Sequence, residues 1–81
     1  MDNKQEQQII EIVKLATQNS SVDKHSTNEN TNGWDSLAYL IIAQEIEDFF
    51  GIIVTSKNID LLNSIQGILT VINSGSGGMN V

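Results

Sequence analysis

At 81 residues the chain suits one small domain, which buries only about 60% of the surface its unfolded form exposes, so a large enclosed active site is not expected. No cysteine is present, which excludes a disulfide framework and a thiolate metal site and fits a reducing compartment. Four lysines and no arginine face ten acids, for a net charge of −6; a chain so poor in cations does not grip a phosphate backbone, so nucleic acid is excluded and basic surfaces are the expected partners.

No apolar run approaches the ~20 residues needed to cross a bilayer. Met1-Asp2-Asn3-Lys4 leads into a polar segment and not into a signal-peptide core, so a cytoplasmic protein without membrane insertion is expected.

From Asn3 to about Gln18, Ile9, Ile12, Val13 and Ala16 recur at helical spacing among Glu6, Glu11 and Lys14, which predicts an amphipathic helix. Ile10 and Leu15 widen its apolar stripe. The polar face lacks the basic character of a membrane-surface helix, so this face is predicted to pack into a bundle.

Asn19 to Asp35 is rich in Asn, Ser, Thr and Asp, whose side chains compete for the backbone and favour a loop. Loops beyond about 12 to 15 residues are uncommon in compact domains and tend to be functional or mobile. Val22 and Trp34 are its expected anchors. His25 has no neighbouring Cys or second His, so it is expected to be a solvated surface residue, and Asn32-Gly33 reads as a tight turn.

Ser36 to Phe50 is predicted to be the second helix, capped by Asp35 or Ser36. Tyr39, Ile42, Ala43, Ile46, Phe49 and Phe50 form its expected core stripe, while Leu37, Leu40 and Ile41 lie round the cylinder near the serine. That surplus apolar surface is read as partner-facing; the alternative is that Leu40 and Ile41 pack on the loop above. Glu45, Glu47 and Asp48 decorate the rest. Because the first amides of a helix lack intrahelical partners and carry positive dipole, a phosphate ester on Ser36 would be stabilised there. Ser36 is therefore expected to be an attachment point and not a catalyst.

Gly51 is expected to be a left-handed C-cap, and Ile52-Ile53-Val54 a buried connector, since no second strand is in sight to pair with it. Thr55 or Ser56 should cap a short helix through Leu61 or Leu62, offering Ile59 and Leu62 to the core. Asn63 or Ser64 then caps a last helix with Ile65, Ile68, Leu69 and Ile72 on one face. Gly67 should weaken that helix by about 1 kcal/mol relative to Ala. Residues 1–74 thus form one helical domain, and 75–81, with Gly and Ser prominent, a flexible C-terminal tail. Only an all-α bundle accommodates these elements.

Gly33-Trp34-Asp35-Ser36-Leu37, the helix ending Glu45-Ile46-Glu47-Asp48-Phe49-Phe50-Gly51-Ile52, and the helix start Asn63-Ser64-Ile65-Gln66 together resemble the acyl carrier proteins and the related peptidyl carrier domains, over about residues 4 to 73. The resemblance implies a small four-helix bundle, three main helices and one short one, with a long first loop. It also implies that Ser36 receives 4′-phosphopantetheine from coenzyme A through a phosphopantetheinyl transferase, supported by Asp35, and that the arm's thiol carries acyl or aminoacyl groups as thioesters. Such a carrier, expected as a monomer, would meet acyl-activating and acyl-transferring or condensing enzymes through their basic docking patches, using Leu37, Leu40, Ile41, Glu45, Glu47 and Asp48. Electrostatic complementarity of this kind raises encounter rate and lets partners part again. The acyl cargo is expected to rest near Leu40, Ile41, Ile59 and Leu62. Ala38 and Ile41 stand where many members carry acids, Asn32 where an apolar residue is common and Thr55 where a proline is frequent. A mobile first loop and a looser junction after Val54 are the expected consequences.

Two rival functions compete with the carrier resemblance. Gly33-(Trp34)-Asp35-Ser36-Leu37 superficially resembles the nucleophile block of GDSL-type serine hydrolases, but the inserted Trp34 breaks it and no downstream Asp-x-x-His supplies a base. Nothing in the composition excludes a helical protein-interaction adaptor that never takes a prosthetic group.

Overall fold

A computed structural model describes residues 3–78. In chain order they form α1 (Asn3–Thr17), α2 (Ser36–Phe50), a short 3-10 turn (Ile59–Asn63) and α3 (Ile65–Gly78). The architecture is all-α, with no strand among the described residues; Thr27 and Ser64 make an isolated antiparallel bridge. No described helix is long and apolar enough to cross a membrane.

Helix α1 packs on α2 and α3, and the 3-10 turn is wedged against α3 and α2. Ile9, Ile10, Ile12 and Val13 of α1 meet Ala38, Ile42 and Ile46 of α2 and Ile65, Ile68, Val71 and Ile72 of α3 in one core, with Leu62 of the 3-10 turn fully enclosed. Leu15, expected to widen the stripe of α1, is exposed. On α2 the stripe is rotated from the expected one. Ala38 is buried, while Phe49 is 57% exposed and touches Phe50 edge-on, with ring centroids 4.9 Å apart. A small residue lets α2 sit close, and the large ring of Phe49, next to the last residue of the helix, stays mostly exposed.

The helix ends follow local chemistry. Asp35 is the N-cap of α2 and Gly51, at φ 69°, its left-handed C-cap, whose amide donates to the Glu47 carbonyl at 3.0 Å. Ser64 caps α3 by accepting the Gly67 amide at 2.9 Å. At the end of α1 the left-handed position is taken by Gln18 (φ 56°), where no glycine announced it. The last helix continues to Gly78, so 75–78 of the expected tail extend α3, each further residue adding a helical bond to an existing ladder; 79–81 lie outside the described residues.

The connector after α2 is only partly buried: Ile52 enters the core, Val54 packs at its edge, and Ile53 is 74% exposed. An extended segment alternates its side chains, so a run of three apolar residues cannot all face inward.

The long loop of residues 18–35 is fastened far more tightly than its two apolar anchors foretold. Val22 and Trp34 are buried, and so are Ser26 and Thr31. The Asn28 amide donates to the Asn63 carbonyl at 2.8 Å, and the Ile65 amide to that of Ser26 at 3.2 Å, which ties the loop to the junction between the 3-10 turn and α3. Within the loop, the Asp23 amide donates to Ser26 Oγ and the Thr27 amide to Asn30 Oδ1, both at 2.8 Å. These polar ties fasten the loop although Asn32 supplies no apolar anchor.

Candidate functional site

Trp34 sets the position of the candidate site. Its ring is 5% exposed, and its Nε1 donates to the Leu62 carbonyl at 3.1 Å, so the chain entering α2 is pinned to the 3-10 turn. Just before it, Gly33 has φ 91° and lies so close to the end of α1 that a Cβ would collide with the Thr17 carbonyl oxygen. Both restraints explain why Gly and Trp stand next to the cap.

Asp35 is extended, and its Oδ1 accepts the Ala38 amide at 3.1 Å while its carbonyl accepts the Tyr39 amide at 3.0 Å. Ser36 is the first helical residue and is exposed. The cap belongs to Asp35, which leaves the serine hydroxyl outside the capping bond.

Ser36 opens onto a solvent-accessible cleft of about 500 Å³ lined by Asn28, Trp34, Asp35, Tyr39 and Ile59. Tyr39 and Ile59 were expected in the core, and Asn28 drew no attention in the sequence. The signal for Tyr39 was present: three residues after Ser36, it shares the serine's helix face. Burial, and secondly the nearby Asp60 carboxylate, push the Tyr39 phenol above its ordinary value. Of the residues expected to shelter cargo, only Ile59 lines this cleft; Leu62 is fully buried beneath it.

Round the helix from the core, Leu37 and Leu40 are each 64% exposed, so Leu40 is not covered by the loop, while Ile41 is half-buried. Glu45 is half-buried and Asp48 exposed. Glu47 differs from its neighbours. Its Oε2 accepts the Val54 amide at 2.8 Å, so this carboxylate holds the connector back against α2 and is partly withdrawn from the expected partner surface. At Thr55, where a proline is frequent in the family the sequence resembles, the amide donates to Asn58 Oδ1 at 2.8 Å.

His25 is exposed and lines a separate polar pocket of about 330 Å³ within the loop, with Asp23, Ser26 and Asn30 among its neighbours. No cluster of three or more His, Cys, Asp or Glu residues occurs among the described residues.

No family model, curated protein or solved structure matches this chain.

The residues present fit a phosphate ester on Ser36. The oxygen is exposed, it stands at the helix end where backbone dipoles favour negative charge, and beside it lies open space with both apolar and polar walls.

Proposed function

We propose that this chain is a carrier protein of the acyl carrier type, holding acyl or aminoacyl groups as thioesters on a 4′-phosphopantetheine arm attached to Ser36. The observation that carries this proposal is the exposed hydroxyl of Ser36 at the start of α2, freed from capping by Asp35 and opening onto the Trp34–Tyr39–Ile59 cleft. In this reading the 3-10 turn is the short helix of a four-helix carrier. When bound, the arm supplies a terminal thiol.

Each of the chain's own residues then has a task. Asp35 fixes the first turn and leaves one carboxylate oxygen over for the modifying enzyme. Leu37 and Leu40 give that enzyme an apolar footing, and Glu45 and Asp48 give it charges to recognise. Ser36 itself needs no base within this chain, because a transferase brings its own. Such a carrier acts in the cytoplasm, where the expected transferase, coenzyme A and acyl-transferring partners meet.

The test is direct. Incubated with coenzyme A and a broad-specificity phosphopantetheinyl transferase, the chain gains the mass of one arm, and Ser36→Ala gains none. An unchanged mass, under conditions that modify a control carrier, leaves the exposed apolar face of α2 as the signature of an unmodified interaction adaptor.

A further inference from the structure

None of the fully buried core side chains lines the space beside Ser36. Trp34 is the wall between them: it lines the cleft, yet it also belongs to the core, and its indole N–H is committed to the Leu62 carbonyl. A chain passing inward from Ser36 has to displace that ring and leave both groups of a buried hydrogen bond unpaired.

Behind the wall the core is built mainly of β-branched side chains. Twelve of its fifteen buried hydrophobic side chains are Ile or Val, and Leu62 is the one unbranched-at-Cβ aliphatic chain among those longer than Ala. In helices, Ile and Val hold one strongly preferred rotamer. Such a core lacks the adaptable Met and Leu side chains that re-pack around an inserted chain, and close-packed interiors resist opening.

The cleft has the opposite character. Trp34, Tyr39 and Ile59 make apolar walls, and Asn28, Asp35 and Ser36 bring polar atoms to the same opening. Its shape and mixed lining suit an amphipathic occupant that stays in contact with water. Resting on the carrier proposal, we infer that this protein carries a short acyl or aminoacyl group against the surface cleft beside Ser36, and that its core takes in no long acyl chain.

This departs from the expectation that cargo rests between Leu40, Ile41, Ile59 and Leu62. Leu62 lies behind the indole, while Leu40 is a surface residue. A carrier built in this way displays its cargo to the next enzyme instead of sheltering it.

The experiment uses the full chain, modified at Ser36 and loaded with either an acetyl or an octanoyl thioester, each confirmed by intact mass. Amide hydrogen exchange at Ile42, Leu62 and Ile68 and the thermal midpoint are compared between the two forms. The expected result is equal core exchange and equal midpoints, with the emission of Trp34, the chain's one tryptophan, altered similarly by both loads. Slower exchange at those core amides and a higher midpoint for the octanoyl form overturn the inference while leaving the carrier proposal standing. A chain that accepts no arm at all fails at the mass measurement and overturns the carrier proposal and this inference with it.

Discussion

Because the Asp35 carboxylate accepts the Ala38 amide while Ser36 stands one position further on, the energetic cost of altering these neighbours should separate cleanly. Asp35→Ala is expected to lower stability by about 1 kcal/mol and Asp35→Asn by much less, since Asn is as good a cap. Ser36→Ala should stay within about 0.5 kcal/mol of the parent, as exposed positions without a special bond do. Urea midpoints measure all three. Tyr39 makes a second prediction at this scale. Its phenol is raised by burial first and by Asp60 second, so the folded chain holds the proton more tightly than the unfolded one. That stabilisation is fully present below the ordinary phenol value of about 10 and is lost as pH rises through the folded value. Phenolate absorbance, which reports Tyr39 alone because the chain has one tyrosine, should titrate above the ordinary value. Asp60→Asn should move it part of the way back, and a titration at the ordinary value in the parent would contradict the burial. Of these two residues, the cap was legible in the sequence because its bond spans three positions. The surroundings of Tyr39 were not, because Asp60 and Ile59 reach it from another element.

Elements whose ends are written in local chemistry were legible throughout. The span of α2 coincides with the predicted Ser36 to Phe50 because an acceptor at one end and a left-handed glycine at the other leave it no freedom. Which face of α2 turns inward was less legible. Ala38 and Phe49 exchanged places because the apolar residues cover more of the helix than the core needs, so periodicity alone does not choose the orientation. The long loop was read correctly as a loop, but its backbone ties to the junction before α3, from the Asn28 amide to the Asn63 carbonyl and from the Ile65 amide to the Ser26 carbonyl, join groups brought near only by folding and were not legible. Gly67 shows how far packing overrules propensity. By helix propensity alone, Gly67→Ala would add about 1 kcal/mol. In the folded chain that methyl would collide with the Leu61 carbonyl oxygen and stand 3.0 Å from Ser64 Oγ, the atom that caps α3. Gly67→Ala is therefore expected to destabilise, by about 1 to 3 kcal/mol as for other over-packed sites. Thermal and urea unfolding would decide it, and a stabilised variant would mean that the 3-10 turn sits further from α3 than described.

At the scale of the whole molecule, charge and shape act together. Ten acids against four lysines set a negative field, and α2 contributes Glu45, Glu47 and Asp48 without a cation of its own. Lys14 is occupied with Glu11, 3.7 Å away on the same helix, an exposed pair that adds little to stability. On the carrier proposal the field's use would be in encounter: it would draw a basic surface toward α2, with the exposed Leu37 and Leu40 available for short-range contact beside Ser36. Glu47 must be kept out of any test of this idea, because its bond to the Val54 amide makes it part of the fold. Reversing Glu45 and Asp48 together to Lys isolates the steering effect. The doubly reversed chain should keep its unfolding midpoint to within about 1 kcal/mol, as surface substitutions do. Its modification at Ser36 by a transferase with a basic docking patch should slow by about tenfold in kcat/KM at low salt. Raising ionic strength should erase much of the difference, because at 0.15 M charges farther apart than about 8 Å hardly interact. A rate difference that persists unchanged in high salt would assign these two acids a direct contact with the transferase, and equal rates at low salt would remove the α2 acids from the recognition surface altogether.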